Sequence, residues 1–140
     1  MPTHKGEMTM RRSLAYLRMY LVRQRWHQPE IVDVAGAATR ELARTGALER
    51  IKPGDEIAIT AGSRGIATLP VVLRAVVAAV RARGGVPFLF PAMGSHGGGT
   101  ARGQLELLAG MGIDDASMGA PIRASMDVVQ LGQTANGLPV

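Results

Sequence analysis

Residues 56–90 read "EIAITAGSRGIATLPVVLRAVVAAVRARGGVPFLF", and this stretch decides the fold. It opens on a short β-rich run, "EIAITAG" (residues 56–62), apolar on both sides as a strand buried in a parallel sheet should be. "SRGIA" follows as a loop. Thr68 can cap a helix with Pro70 in its first turn. Leu69, Leu73, Val76, Val77 and Val80 recur at the spacing of one broad helical stripe, with Arg74, Arg81 and Arg83 off its centre. Gly84 and Gly85 end the helix. "VPFLF" (86–90) is then a second short strand. Strand, helix and strand in this order make a βαβ unit, whose strands are parallel and whose crossover is right-handed.

Upstream, "PEIVDVAGAATRELARTGALERI" (29–51) reads as a helix, with Pro29 and Glu30 suited to its first turn. Ile31, Val34, Ala38, Leu42 and Ala43 share a face that Leu48 extends. "KPGD" (52–55) is a turn. "LAYLRMYLVRQR" (14–25) reads as a strand that Pro29 soon breaks. Downstream, Thr100 can cap a third helix through "ARGQLELLAGMG" (101–112), with Leu105, Leu108 and Met111 inside. "GIDDASMGAPI" (112–122) looks like a loop, and "SMDVVQLG" (125–132) like another strand. In "QTANGLPV" (133–140), Asn136-Gly137 is a hairpin turn signal with three residues after it.

The expected fold is therefore α/β. It is a Rossmann-like parallel βαβ core with helices on both faces, ending in a strand or hairpin that looks truncated. Residues 1–28 form a basic segment with one strand, and 29–140 form the α/β domain. A fragment of a two-domain protein is expected.

Composition narrows the function classes. The chain of 140 residues fits one domain, and with 46% apolar but 4% aromatic residues its core must be aliphatic. The absence of cysteine excludes a disulfide scaffold, a cysteine zinc site, an iron–sulfur cluster and a thiol nucleophile in this chain. It fits a cytoplasmic protein. The longest apolar runs are broken by arginine, so no membrane span is expected. The start has basic residues before an apolar segment, as signal peptides do. Arg18 and Arg23 interrupt that segment, and no small-residue cleavage site follows. The net charge of +5 is concentrated in Arg11, Arg12, Arg18, Arg23 and Arg25, with Glu7 against them. Without zinc-finger spacing or an RNA-binding aromatic motif, this reads as a solvated surface, and nucleic acid is not an expected partner.

The feature that points to chemistry is an echo. The first strand runs into "AGSRG" (61–65) and the second into "MGSHGGG" (93–99), so both loops read Gly-Ser-basic-Gly at the carboxyl end of a strand. Ligands of open parallel sheets bind at that edge. Glycines let a ligand approach the backbone, and each loop runs into a helix amino terminus, which favours anions. Ser63 and Ser95 add hydroxyl donors. Arg64 offers a fork that matches a carboxylate or phosphate. His96 can take and give a proton near neutral pH. One glycine loop alone would read as a turn, and one loop histidine alone as idle. Their recurrence at equivalent strand ends predicts a shared site for a small anionic molecule.

Other motifs are absent. "GSHGGGT" lacks the Gly-Lys-Ser/Thr of a Walker loop, and "GSRGIA" is not a dinucleotide fingerprint. Neither Ser63 nor Ser95 sits in a Gly-x-Ser-x-Gly elbow. His4 reads as part of a tail, and His27, beside Trp26, as a surface or packing residue.

"IKPGDEIAITAGSRGI" (51–66) and "AVRARGGVPFLFPAMGSHGGGTARGQLELLAGMGI" (79–113) resemble the amino-terminal domain of the nickel-pincer-dependent lactate racemase family, and most closely a lactate-racemase-like branch of uncertain substrate. The resemblance covers residues 30 to the end. It implies two α/β domains with the active site between them, and a nickel-pincer nucleotide that takes a hydride from the substrate α-carbon. By motif, His96 falls on an acid/base histidine and Arg64 on the carboxylate-binding arginine. Ser63, Gly94, Ser95, Gly97 and Gly98 would line the cofactor or the substrate anion. Two positions depart from the characterised racemases: Ala61 stands where they carry an acid, and Gly97 where they carry an arginine. The tethering lysine, the second histidine and the metal ligands belong to a later segment outside this chain. The expected function is a racemase or epimerase of a 2-hydroxy acid, with the fragment alone inactive. The alternative is a non-catalytic phosphate- or nucleotide-binding module.

Overall fold

The computed structural model describes residues 19–26 and 29–140. The chain divides into two units, Met1–Glu30 and Ile31–Val140. In the first, residues 19–26 have neither helix nor strand, and Tyr20, Leu21 and Trp26 are exposed. The strand expected over 14–25 is therefore not formed over 19–25, where no ladder partner is present among the described residues. Its remainder, residues 14–18, lies outside them, as do His4, His27, Arg11, Arg12 and Arg18.

The second unit begins with helix α1, Val34–Arg44. It starts later than Pro29 and Glu30 suggested. The Asp33 carboxylate accepts from the Gly36 N–H at 2.8 Å, which fixes the first turn there. Ile31 and Val32 are exposed and give an earlier turn nothing to pack against. The helix also stops before Leu48, which is buried from a separate 3-10 turn, Ala47–Arg50. The expected turn follows, with Asp55 N–H donating to the Lys52 carbonyl at 3.1 Å.

Strand β1, Glu56–Ala61, helix α2, Leu69–Ala82, and strand β2, Val86–Pro91, form the expected βαβ unit. The strands are parallel, with Glu56 opposite Val86 and Ala61 opposite Pro91. Pro70 sits in the first turn of α2. Thr68 holds the N-cap position, but its hydroxyl makes no capping bond. Leu73, Val77 and Val80 carry the stripe into the core. On the far side of β2, Leu89 N–H donates to the Pro121 carbonyl at 2.9 Å and Arg123 N–H to the Leu89 carbonyl at 2.8 Å, a parallel bridge centred on Ile122.

Both crossovers step the same way across the sheet, so crossovers of one hand leave their helices on one face. That face holds the core. Ile59, Ala61 and Leu89 meet Leu73, Val77 and Val80 of α2, together with Leu108, Ile113 and Met118. The other face is not covered by a helix among the described residues. Ala58 and Thr60 are exposed and Phe88 and Phe90 half-buried. The Arg123 guanidinium lies 4.2 Å from the Phe88 ring centroid and reaches Glu56 Oε1 at 2.8 Å. The expectations of helices on both faces, and of a first strand buried on both sides, are corrected accordingly. The structure is mixed α/β with a two-stranded parallel sheet.

Helix α3, Ala101–Gly110, is capped by Thr100, whose hydroxyl accepts from Gly103 N–H at 3.1 Å. Its inner face is Gln104 and Leu108, flanked by Leu107 and Met111, while Leu105 is half-buried. Gln104 takes an inward place because its amide donates to the Gly94 carbonyl at 2.8 Å. The expected loop after it contains a short helix, α4, Asp115–Met118. A reciprocal capping box makes it: Ser117 N–H donates to Asp114 Oδ1 at 2.7 Å, and Asp114 N–H to Ser117 Oγ at 3.0 Å.

The Ser117 backbone N–H, then its hydroxyl, hold the Asp114 carboxyl below the usual carboxylate range. A carboxyl lowered by folding stabilises the fold above its unfolded value and loses that contribution as pH falls through the folded one. Asp114→Asn, which keeps a competent cap, is expected to melt slightly earlier at neutral pH and to show a shallower decline on the acid side. Thermal melts of both proteins from neutral into acid pH check this.

No strand forms over 125–132, where Val128, Val129 and Leu131 are exposed and only the end of the segment is paired, with Leu131 N–H donating to the Val140 carbonyl at 2.6 Å and Val140 N–H to the Gly132 carbonyl at 2.9 Å. The Asn-Gly turn is present. Gly137 N–H donates to the Thr134 carbonyl at 2.9 Å, and Thr134 N–H to the Leu138 carbonyl at 2.9 Å. Among the described residues no helix is long and apolar enough to cross a membrane.

Candidate functional site

The carboxyl ends of β1 and β2 open onto a crevice of about 460 Å³. Gly62, Ser63 and Arg64 line it from the first loop, and Ala92 to His96 from the second, with Ile66 and Leu69 as an apolar wall. Of the residues singled out from the sequence, Ser63, Arg64, Gly94, Ser95 and His96 meet there.

Gly97 and Gly98 do not line it. Gly97 has φ +63°, and a Cβ on it would lie 2.4 Å from the Gly103 carbonyl carbon. It is the point where the loop rests on the first turn of α3. Gly98 faces open space. These two glycines shape the loop rather than the crevice wall.

The two loops are not side by side as their matching sequences suggest. Ala61 stands opposite Pro91, so the Gly-Ser-basic triplet of the second loop begins two residues farther beyond the sheet edge than that of the first. The ladder continues one step, with Ala92 N–H donating to the Ala61 carbonyl at 2.8 Å. The second loop then turns back, with His96 N–H donating to the Met93 carbonyl at 3.2 Å. This return brings the His96 ring to Ser63. Ser63 Oγ and His96 Nδ1 are 2.5 Å apart and share one hydrogen bond.

Sequence reasoning treated Ser63 as a ligand donor and missed this partnership. The signal was the two-residue difference between motif spacing and strand register, which becomes visible once the strands are paired. It also missed Gln104, whose bond to Gly94 pins the second loop from beneath.

Arg64 is exposed. Among the described residues no carboxylate pairs with it, and no Asp or Glu lines the crevice. Its charge is therefore available to a ligand. No protein-family model, curated protein or solved structure matches the chain. An uncompensated guanidinium suits a carboxylate or phosphate. Two hydroxyls and an imidazole suit a ligand that also carries an exchangeable proton. Among the described residues no group of three or more His, Cys, Asp or Glu is arranged to hold a metal ion.

Proposed function

We propose that this unit is the amino-terminal domain of a racemase or epimerase of 2-hydroxy acids, of the lactate-racemase-like kind its loops resemble. The finer description as half of a Rossmann-like sheet belongs to this reading, as does a cytoplasmic setting. The observation that carries it is the convergence of an unpaired Arg64 and the Ser63–His96 pair in one crevice. Arg64 grips the substrate carboxylate through paired N–H donors. His96 takes the proton from the neighbouring hydroxyl and returns it. Ile66 and Leu69 supply the apolar wall against which the carbon skeleton rests.

The nickel-pincer nucleotide implied by the resemblance supplies, when bound, the acceptor for the substrate hydride. Ser63, Ser95 and the Gly94 backbone suit the phosphate of such a group. The crevice offers a metal one imidazole and no further ligand among the described residues, so nickel is assigned no ligand here. The second domain is the partner that would close the crevice.

Calorimetry with lactate, propionate and inorganic phosphate tests the reading. Lactate is expected to bind more tightly than propionate, and Arg64→Gln to weaken lactate about 10- to 100-fold, the worth of a charge-assisted hydrogen bond. Phosphate binding with no preference for the hydroxy acid would instead support the non-catalytic phosphate- or nucleotide-binding module.

A further inference from the structure

We infer that Ser63 is the positioning residue for His96: its hydroxyl oxygen accepts Nδ1–H and leaves the Nε2 lone pair for the ligand. This rests on the proton-transfer reading of the crevice and specifies how the imidazole is set for it. A neutral imidazole carries one N–H, and the hydrogen bond made by one nitrogen decides the role of the other. Nδ1 is engaged at 2.5 Å by Ser63 Oγ, so Nε2 is the nitrogen left for chemistry.

A serine hydroxyl can donate or accept, so the direction of this bond matters. Were Ser63 to donate, Nε2 would carry the proton and could not act as a base. With Nδ1–H donating, Nε2 accepts a proton without any change at Nδ1, since the imidazolium keeps the same bond to the same oxygen. The Ser63 O–H is then free for the anionic group held by the adjacent Arg64. Neighbouring residues thus divide the work, one fixing the ring and the other the ligand charge. The bond also ties the end of β1 to the loop after β2, across the two-residue offset between them.

Nitrogen NMR of the His96 side chain reads the tautomer directly. In the neutral ring the wild-type protein is expected to show the proton on Nδ1. Ser63→Ala is expected to lose that bias and give a mixture, and Ser63→Thr to restore it. Ser63 is half-buried and the bond exposed, so the Ala variant should stay folded. A merely structural serine would not move the tautomer. A wild-type ring protonated on Nε2, or a Ser63→Ala ring with the wild-type tautomer, overturns the inference. Calorimetry with lactate on the same proteins separates the two ideas. A Ser63-dependent tautomer without lactate binding sinks the hydroxy-acid reading and supports the positioning role. Lactate binding with a Ser63-independent tautomer does the reverse.

Discussion

Gly103→Ala is expected to destabilise the fold by about 3 kcal/mol or more, although glycine-to-alanine changes inside helices ordinarily stabilise by about 0.5–1 kcal/mol. The sign reverses because a Cβ at Gly103 would lie 1.9 Å from the Gly97 carbonyl oxygen and 2.8 Å from its carbon. Both obstacles are backbone, so no side chain can swing away. Gly97→Ala is expected to be at least as costly. It meets the same contact from the other side, at 2.4 Å from the Gly103 carbonyl carbon, and adds the strain of φ +63°. Gly98→Ala is the control. Its φ is +70°, with nothing within 4 Å of the added carbon. It should cost only the left-handed strain, about 1–2 kcal/mol. Chemical denaturation of the three variants gives the order, and a stabilised Gly103→Ala would show that the two backbones are not in contact.

If the crevice works as proposed, His96→Gln is expected to lower isomerisation about 10²- to 10⁴-fold, the usual worth of a general acid–base group. The assay belongs on the two-domain enzyme that the proposal describes, loaded with the cofactor the resemblance implies. Lactate affinity should change only a few-fold, because Arg64 still holds the carboxylate. Arg64→Lys should show the opposite pattern, a raised KM from loss of the two-pronged grip with a smaller change in kcat. An isomerisation rate that His96→Gln leaves intact would remove the histidine from the chemistry.

The sheet and its crossover helix were legible because several local signals agree. Thr68 and Pro70 mark the start of α2, its apolar stripe fixes the buried face, and Gly84–Gly85 marks the end. The start of α1 was misplaced because Pro29–Glu30 and Asp33 are competing start signals, and only the apolar environment decides between them. Ile31 and Val32 find none. The capping box at Asp114 and Ser117 was readable as Asp-x-x-Ser, but its helix is one turn long and carries no periodicity. Residues 125–132 have strand-like composition, yet only Leu131 and Gly132 at their end meet a partner, at Val140, and so short a pairing does not extend into a strand. At the crevice, Arg64 and His96 were found from their matching loops. The contact of Ser63 with His96 was not legible, because sequence spacing and strand register differ by two residues.

The second loop is seated by neutral contacts: the backbone of Gly97 against Gly103, and the Gln104 amide on the Gly94 carbonyl. Dissolved ions screen charges at a distance but have little hold on shape or on short amide bonds. The proposed capture of an anion by Arg64 would be a charge effect, one that weakens as ions are added. Ionic strength therefore acts on this crevice as a selective dial, loosening the grip on the ligand while the imidazole stays where the fold has set it.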